Sequence, residues 1–180
     1  MELVILDRDG VINRDSPDFV RSPGEWRPLP GSLEAIARLS AAGVRVAVAT
    51  NQSGVGRGLF DETVLAAIHE RMDREIINAG GKLDKIVYCP HSPNDGCDCR
   101  KPKPGLFEQL ARYYDRNLVD VPCIGDSVRD IEAARDAGGR PILVLTGNGR
   151  RAREQLARCP PETYDDLAQA VDRLLGEGRS

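Results

Sequence analysis

Short apolar runs recur along the chain at 3–6, 44–50, 85–89, 121–126 and 141–147, and most stop abruptly at a polar or glycine-containing turn. Leu3-Val4-Ile5-Leu6 is apolar at every position rather than every second one. A strand with one wet face alternates, so continuous runs of this length ask for burial on both faces, as in a parallel sheet sandwiched between helices. The intervening segments supply the helices. Leu33, Ile36, Ala37 and Leu39 recur at helical spacing over 32–42, with Ser32 placed to cap and Gly43 to stop. The stretch 61–81 carries a Leu65, Ile68, Met72, Ile76 stripe between an Asp61 N-cap and the Gly80-Gly81 pair. Further helices are expected from Pro104 to about Tyr114, over 127–139, and over 165–175. Strands alternating with helices predict an α/β fold, a three-layer αβα sandwich on a parallel, Rossmann-like sheet. A chain of 180 residues with no internal repeat or linker is expected to form one domain, 1–180. The proline-rich stretch 17–30 is its longest irregular segment, and long loops in compact domains are often functional.

Charge narrows the partners. Twenty-five basic and 28 acidic side chains leave a net charge of −3, without the basic face that binding a long nucleic acid requires. A local cluster of cations remains able to hold one or two phosphates. The N-terminal residues lack a basic segment followed by a long apolar one, and no run reaches membrane-spanning length. A cytoplasmic protein with no membrane partner is therefore expected. Thiols stay reduced there, so the five cysteines favour metal or redox chemistry over a disulfide framework.

In open parallel sheets, ligands bind beyond the carboxyl ends of the strands. The first strand delivers Asp7-Arg8-Asp9-Gly10 there, the second Thr50-Asn51-Gln52-Ser53, the third a Cys/His loop followed by Arg100 and Lys101, and the fourth Gly125-Asp126-Ser127 with Asp130 one turn later. Each group alone is also a common turn or helix-capping pattern. Together they bring carboxylates, a hydroxyl and a lysine to one edge. Like charges so gathered need a cation or a shared proton, and oxygen ligands without histidine suit a hard ion such as Mg²⁺. A carboxylate in such a setting can attack phosphorus, with Mg²⁺, a lysine and backbone N–H groups stabilising the transferring phosphoryl group.

These segments carry a resemblance. "LDRDG" is similar to the DxD signature of the haloacid dehalogenase-like (HAD) phosphatase superfamily, "VAVATN" to its second motif, the lysine of "RKPKPG" to its third and "IGDSVRDIEAA" to its fourth, over about residues 3–150. More narrowly, "LDRDGVIN", "TNQSGVGRG" and "CPHSP…CDCRKPKPG", in this order, resemble the heptose bisphosphate phosphatases and their cousins, the histidinol-phosphate phosphatases. The resemblance implies Asp7 as nucleophile and Asp9 as general acid and base. It implies Mg²⁺ held by the Asp7 carboxylate, the Asp9 backbone carbonyl and Asp126, with Thr50 and Lys101 on the phosphoryl group. Asp15, Ser16, Pro17, Asp18, Asn51, Gln52, Ser53, Arg57 and Arg100 would contact a small sugar bisphosphate, and Asp130 would orient its neighbours. The insertions after the first and third strands are too short for the large cap domain that many members carry. Arg14, Arg21, Arg57 and Arg100 are the cations near enough in sequence to read a second phosphate.

Cys89, His91, Cys97 and Cys99 form a Cys-x-His-x5-Cys-x-Cys loop after the third strand. They offer the four soft or borderline ligands of a closed tetrahedral Zn²⁺ site, though at tighter spacings than the usual finger. The resemblance strengthens this reading and implies a structural zinc loop, 89–99. Fixing Cys99 would also fix where Arg100 and Lys101 point. Cys123 is expected in the core, Cys159 in a polar tail, His69 in packing or at the surface and Trp26 packing down its loop. "TGNGR", 146–150, reads as a weak glycine-rich anion loop. A monomer is expected. The leading reading is removal of the C7 phosphate of heptose 1,7-bisphosphate, on the way to the lipopolysaccharide inner core. Histidinol-phosphate hydrolysis is the alternative, kept open by an acidic loop that suits an ammonium group. A non-catalytic zinc-stabilised binding module is the alternative of another class, and a nucleic-acid end-processing phosphatase is disfavoured by the acidic charge.

Overall fold

The computed structural model describes residues 1–177, so the last three residues of the expected domain lie outside the described residues. Six parallel strands form one sheet in the order β3-β2-β1-β4-β5-β6: β1 Leu3–Leu6, β2 Arg45–Asn51, β3 Lys85–Cys89, β4 Pro122–Gly125, β5 Arg140–Val144 and β6 Glu162–Tyr164. The helices are α1 Ser32–Ala41, α2 Ser53–Gly56, α3 Glu62–Asn78, α4 Gly105–Tyr113, α5 Val128–Asp136, α6 Gly149–Gln155 and α7 Leu167–Glu177.

β1 shows why its run is apolar throughout. Val4 and Leu6 join one core with α1, α3 and α7, while Leu3 and Ile5 join the opposite core with α4 and α5. All four residues of β1 are buried. The three layers expected from the sequence are present. After β1 the chain order of the sheet reverses, one arm running through β2 and β3 and the other through β4, β5 and β6. Connections leave such a switch point in opposite directions, which opens a crevice at the carboxyl ends of β1, β2 and β4.

Local chemistry sets the helix limits. Asp61 caps α3 by accepting from the Val64 N–H at 2.8 Å, an interaction worth about 1 kcal/mol. Ser32 departs from its expected role as a cap. The N-cap of α1 is Gly31, in the left-handed region, and Ser32 Oγ donates to the carbonyls of Ile12 and Leu29, tying the loop after β1 to the helix. In the irregular 17–30 stretch the Trp26 ring is fully buried in the core, as expected. Cys123 is buried and Cys159 exposed. β6, α2 and α6 were not expected from the sequence.

Candidate active site

Asp7 follows the last residue of β1, and its N–H donates to the carbonyl of Ile124 on β4 at 2.9 Å. The neighbouring strand therefore fixes where its carboxylate leaves the sheet. Carboxylate oxygens of Asp7, Asp126 and Asp130 lie within 4.8 Å of one another. Lys101 Nζ is buried among them, 2.5 Å from Asp130 Oδ1, 3.0 Å from Asp7 Oδ1 and 2.8 Å from the Ala49 carbonyl to which it donates. The remote Lys101 is held there by Asn51 at the end of β2. The Asn51 amide donates to the Lys101 carbonyl at 3.0 Å and accepts from the Lys101 N–H at 3.1 Å.

The carboxyls divide into two kinds. Burial pushes Asp7 up to about 7, against the pull of Lys101 and with help from Asp130 and Asp9. Burial, then repulsion from Asp130 and Asp7, pushes Asp126 up to about 8. Burial also works on Asp9 and Asp130 but is outweighed. Arg8, Asn13 and Gln52 hold Asp9 below its ordinary value, and Lys101 with Ser127 does the same for Asp130. Asp9 accepts from Arg8 Nη2 at 3.0 and 2.9 Å, Asn13 Nδ2 at 2.8 Å and Gln52 Nε2 at 2.8 Å. Asp130 spends Oδ1 on Lys101 and Oδ2 on the backbone and hydroxyl of Ser127, an orienting role.

Asp126 is walled by two glycines. A Cβ on Gly10, at φ +82°, or on Gly147, at φ +52°, would come within 2.1 Å of Asp126 Oδ2. That oxygen instead accepts from the Asn148 N–H at 2.7 Å. Asp7 Oδ1 is buried and accepts no hydrogen bond with proper geometry, although Lys101 lies beside it as an ion pair. Unsatisfied carboxylate oxygen, two carboxyls raised toward neutrality by burial and by neighbouring carboxylates, and all-oxygen donors fit a hard divalent cation.

The cleft over these groups measures about 320 Å³. Asp7, Asp9, Asp15, Ser16, Pro17, Asn51, Gln52, Ser53, Arg57, Arg100, Lys101 and Asp126 all line it. Thr50 lies just beneath, buried, its Oγ1 accepting from Gln52 Nε2 at 2.9 Å. Asp18 is outside: it sits with Arg14 and Arg21 in a separate hollow, its carboxylate 3.9 Å from Arg21. Arg14 and Arg21 thus leave the set of cations at the mouth, because the loop after β1 turns their side chains to its far side. Arg129, the second residue of α5, takes their place. Burial, then repulsion from Arg129 and a smaller one from Arg57, pulls Arg100 below its ordinary value, as expected where guanidinium groups share one rim.

Cys89 Sγ lies 3.2 Å from Cys99 Sγ, 3.7 Å from Cys97 Sγ and 3.6 Å from His91 Nδ1, and His91 Nδ1 lies 3.3 Å from Cys99 Sγ. A tetrahedral zinc–thiolate site sets its sulfurs about 3.8 Å apart, so this cluster is close to the size the ion needs. All cysteines are free thiols. Arg100 Nη1 donates to the His91 carbonyl at 3.2 Å, which ties the mouth of the cleft to this loop.

A family model described as HAD-hydrolase-like matches residues 98–170. A curated D-glycero-beta-D-manno-heptose-1,7-bisphosphate 7-phosphatase from Bordetella bronchiseptica is 54% identical over 98% of this chain and 99% of its own length. One from Pseudomonas aeruginosa is 52% identical over 96% and 97%. The crystal structure of the B. bronchiseptica D,D-heptose 1,7-bisphosphate phosphatase, complexed with magnesium and phosphate, superposes with a TM-score of 0.94 at 53% identity over 98% of this chain and 99% of that one. That from Burkholderia thailandensis gives 0.75 at 42% identity over 97% and 99%.

The chain belongs to the heptose-bisphosphate phosphatase family of HAD-like hydrolases.

Within this family's fold, several working parts were not found by sequence reasoning. Arg8 is the variable middle position of the DxD signature, yet its guanidinium is buried and clamps Asp9 and Gln52. Asn148 belongs to the "TGNGR" segment read as an anion loop. Its N–H faces a carboxylate instead, and its Nδ2 donates to Asp15 Oδ2 at 3.0 Å. Asn148 therefore links the floor of the cleft to the loop after β1. The glycines flanking Asn148 were the only signal that a backbone comes close there.

Proposed function

We propose that this chain removes the C7 phosphate of D-glycero-D-manno-heptose 1,7-bisphosphate through an aspartyl-phosphate intermediate on Asp7. The reading rests on one observation above all: Asp7, Asp126 and Lys101, from distant parts of the chain, meet at one rim with Asp9 two residues from Asp7. The substrate comes from the relatives' names. Magnesium, held by the Asp7 carboxylate, the Asp9 backbone carbonyl and Asp126, would supply charge that offsets the carboxylates and the phosphoryl oxygens. Asp7 then attacks phosphorus as the bond to the sugar oxygen breaks, and Asp9 gives that oxygen its proton. In the second half Asp9 takes a proton from water, whose oxygen displaces Asp7 from phosphorus.

Asp9 is held as a carboxylate, the form the second half needs. The negative charge of an arriving phosphate works against the Arg8 clamp and favours the protonated form needed to break the ester. Lys101 pairs with a phosphoryl oxygen, and Thr50, whose oxygen accepts from Gln52, keeps its own proton to donate to another. Arg57, Arg100 and Arg129 at the mouth take the second phosphate, while Asp15, Ser16, Pro17, Asn51, Gln52 and Ser53 frame the sugar. Cys89, His91, Cys97 and Cys99 would hold a structural Zn²⁺, since four protein ligands leave no position for water. The protein works as a single-domain monomer in the cytoplasm, supplying heptose to the lipopolysaccharide core. Among the described residues no helix is long and apolar enough to cross a membrane.

The test compares kcat/KM for heptose 1,7-bisphosphate and histidinol phosphate. A clear preference for the first is expected, and a preference for the second overturns the substrate. Asp7→Asn should fold and lose turnover by on the order of 1,000-fold or more. Undiminished activity would remove Asp7 as nucleophile.

A further inference from the structure

We propose that His69 is a positioning residue for Asp9, acting through the buried guanidinium of Arg8. The inference rests on the reading of Asp9 as the group that protonates the leaving oxygen. Arg8 is 1% exposed, so its N–H groups must find acceptors within the protein. Nε donates to Asp9 Oδ1 at 3.2 Å, and Nη2 to Asp9 Oδ1 at 3.0 Å, to Asp9 Oδ2 at 2.9 Å and to Gln52 Oε1 at 2.9 Å. Nη1 faces His69 Nε2 at 3.2 Å.

A guanidinium offers no acceptor, so His69 Nε2 must accept and the ring's proton must sit on Nδ1. Burial, then the Arg8 cation, keeps the ring neutral by lowering it to about 3 against the opposite pull of Asp9. The ring packs edge-on against Tyr88 of β3, with centroids 6.0 Å apart and planes at 62°. His69 itself rides on α3 beside Ile68. The chain of contacts therefore runs from α3 and β3 through the imidazole and the guanidinium to the carboxylate. Without the acceptor at 69, one edge of a buried cation is left unsatisfied. Its simplest relief is rotation toward solvent or another acceptor, which withdraws the fork that aligns Asp9.

A misaligned acid harms a poor leaving group more than a good one. The value of kcat/KM reports steps up to departure of the alcohol, so it isolates this effect from hydrolysis of the intermediate. His69→Phe keeps an apolar ring and removes the acceptor. It should lower kcat/KM for heptose 1,7-bisphosphate by about 10-fold, a part of the ~100-fold or more that a general acid supplies, and for p-nitrophenyl phosphate by less than ~3-fold. His69→Gln, whose Oε1 can accept from Nη1, should restore most of the loss. His69→Asn, too short to reach, is the substitute should the Phe variant not fold, and it should show the same leaving-group dependence. Equal losses on both substrates, or a Gln variant as impaired as the acceptor-less one, would overturn the role. Asp9→Asn run on the same pair separates the two readings. If it too shows no leaving-group dependence, Asp9 is not the acid. If it does and the His69 variants do not, only the inference about His69 fails.

Discussion

Asp7 and Asp126 are buried beside other carboxylates, where little water is left to solvate a charge on either. Both are raised in the folded chain, to about 7 and about 8, so the native state binds protons that the unfolded chain has already released. Their contribution to stability is therefore most favourable below about pH 4 and declines as pH rises through roughly 4 to 8. Protein stripped of divalent metal should accordingly gain more in Tm from added Mg²⁺ at pH 8 than at pH 5, and metal-free Asp126→Asn should melt above metal-free wild type at pH 8. Thermal scans with chelator and with Mg²⁺ check both; a larger gain at pH 5 would contradict the assignment. Gly147→Ala puts a methyl group against Asp126 Oδ2 and should weaken Mg²⁺ affinity by about 10-fold or more, read as the Mg²⁺ concentration giving half-maximal activity. The carboxylates were legible in the sequence because each stands directly after an apolar run. Arg8 and His69 were not, because they meet across 61 residues and only the rotation of α3 decides which side chain faces inward.

At the scale of elements, the Cys/His loop and the end of β2 together place Lys101. Asn51 grips its peptide, and Cys99 stands two residues before it. Cys99→Ser should reduce bound zinc below about one per chain and lower kcat by roughly 10-fold or more, through a displaced lysine and Arg100. Metal analysis beside steady-state kinetics measures both; full activity with no zinc would refute the link. The long strands and helices were visible because periodicity accumulates over their length. β6 was not, since three partly buried residues at a sheet edge, Glu162, Thr163 and Tyr164, hold no apolar run. α6 was hidden for a different reason: "GRRAREQ" is largely polar, with only Gly149 and Ala152 buried.

Taken whole, the described residues form a single sheet with a core on each face, and the chain's only tryptophan is fully buried in one of them. Unfolding should be one cooperative transition, with Trp26 fluorescence and far-UV circular dichroism reporting the same midpoint in metal-loaded protein. Separated midpoints would mean that the two faces unfold independently. The sheet's layering followed from the pattern of apolar runs. The strand order did not, because pairing depends on which crossover packs on which face. The turning of Arg14, Arg21 and Asp18 away from the cleft was likewise hidden, since a loop's direction is set by distant anchors such as Trp26 and Ser32.

The cleft divides into a floor made by strand ends and a rim made by loops. Chemistry and much of the choice of substrate therefore belong to different stretches of chain, with the Cys/His loop serving both because it helps to place Lys101. Transplanting the segment 14–21 from a relative with another preference, with the Cys/His loop that places Lys101 left intact, should redirect the enzyme to a new phosphate ester while the floor goes on breaking the bond in the same way. Such a fold can acquire new substrates without first losing its old reaction.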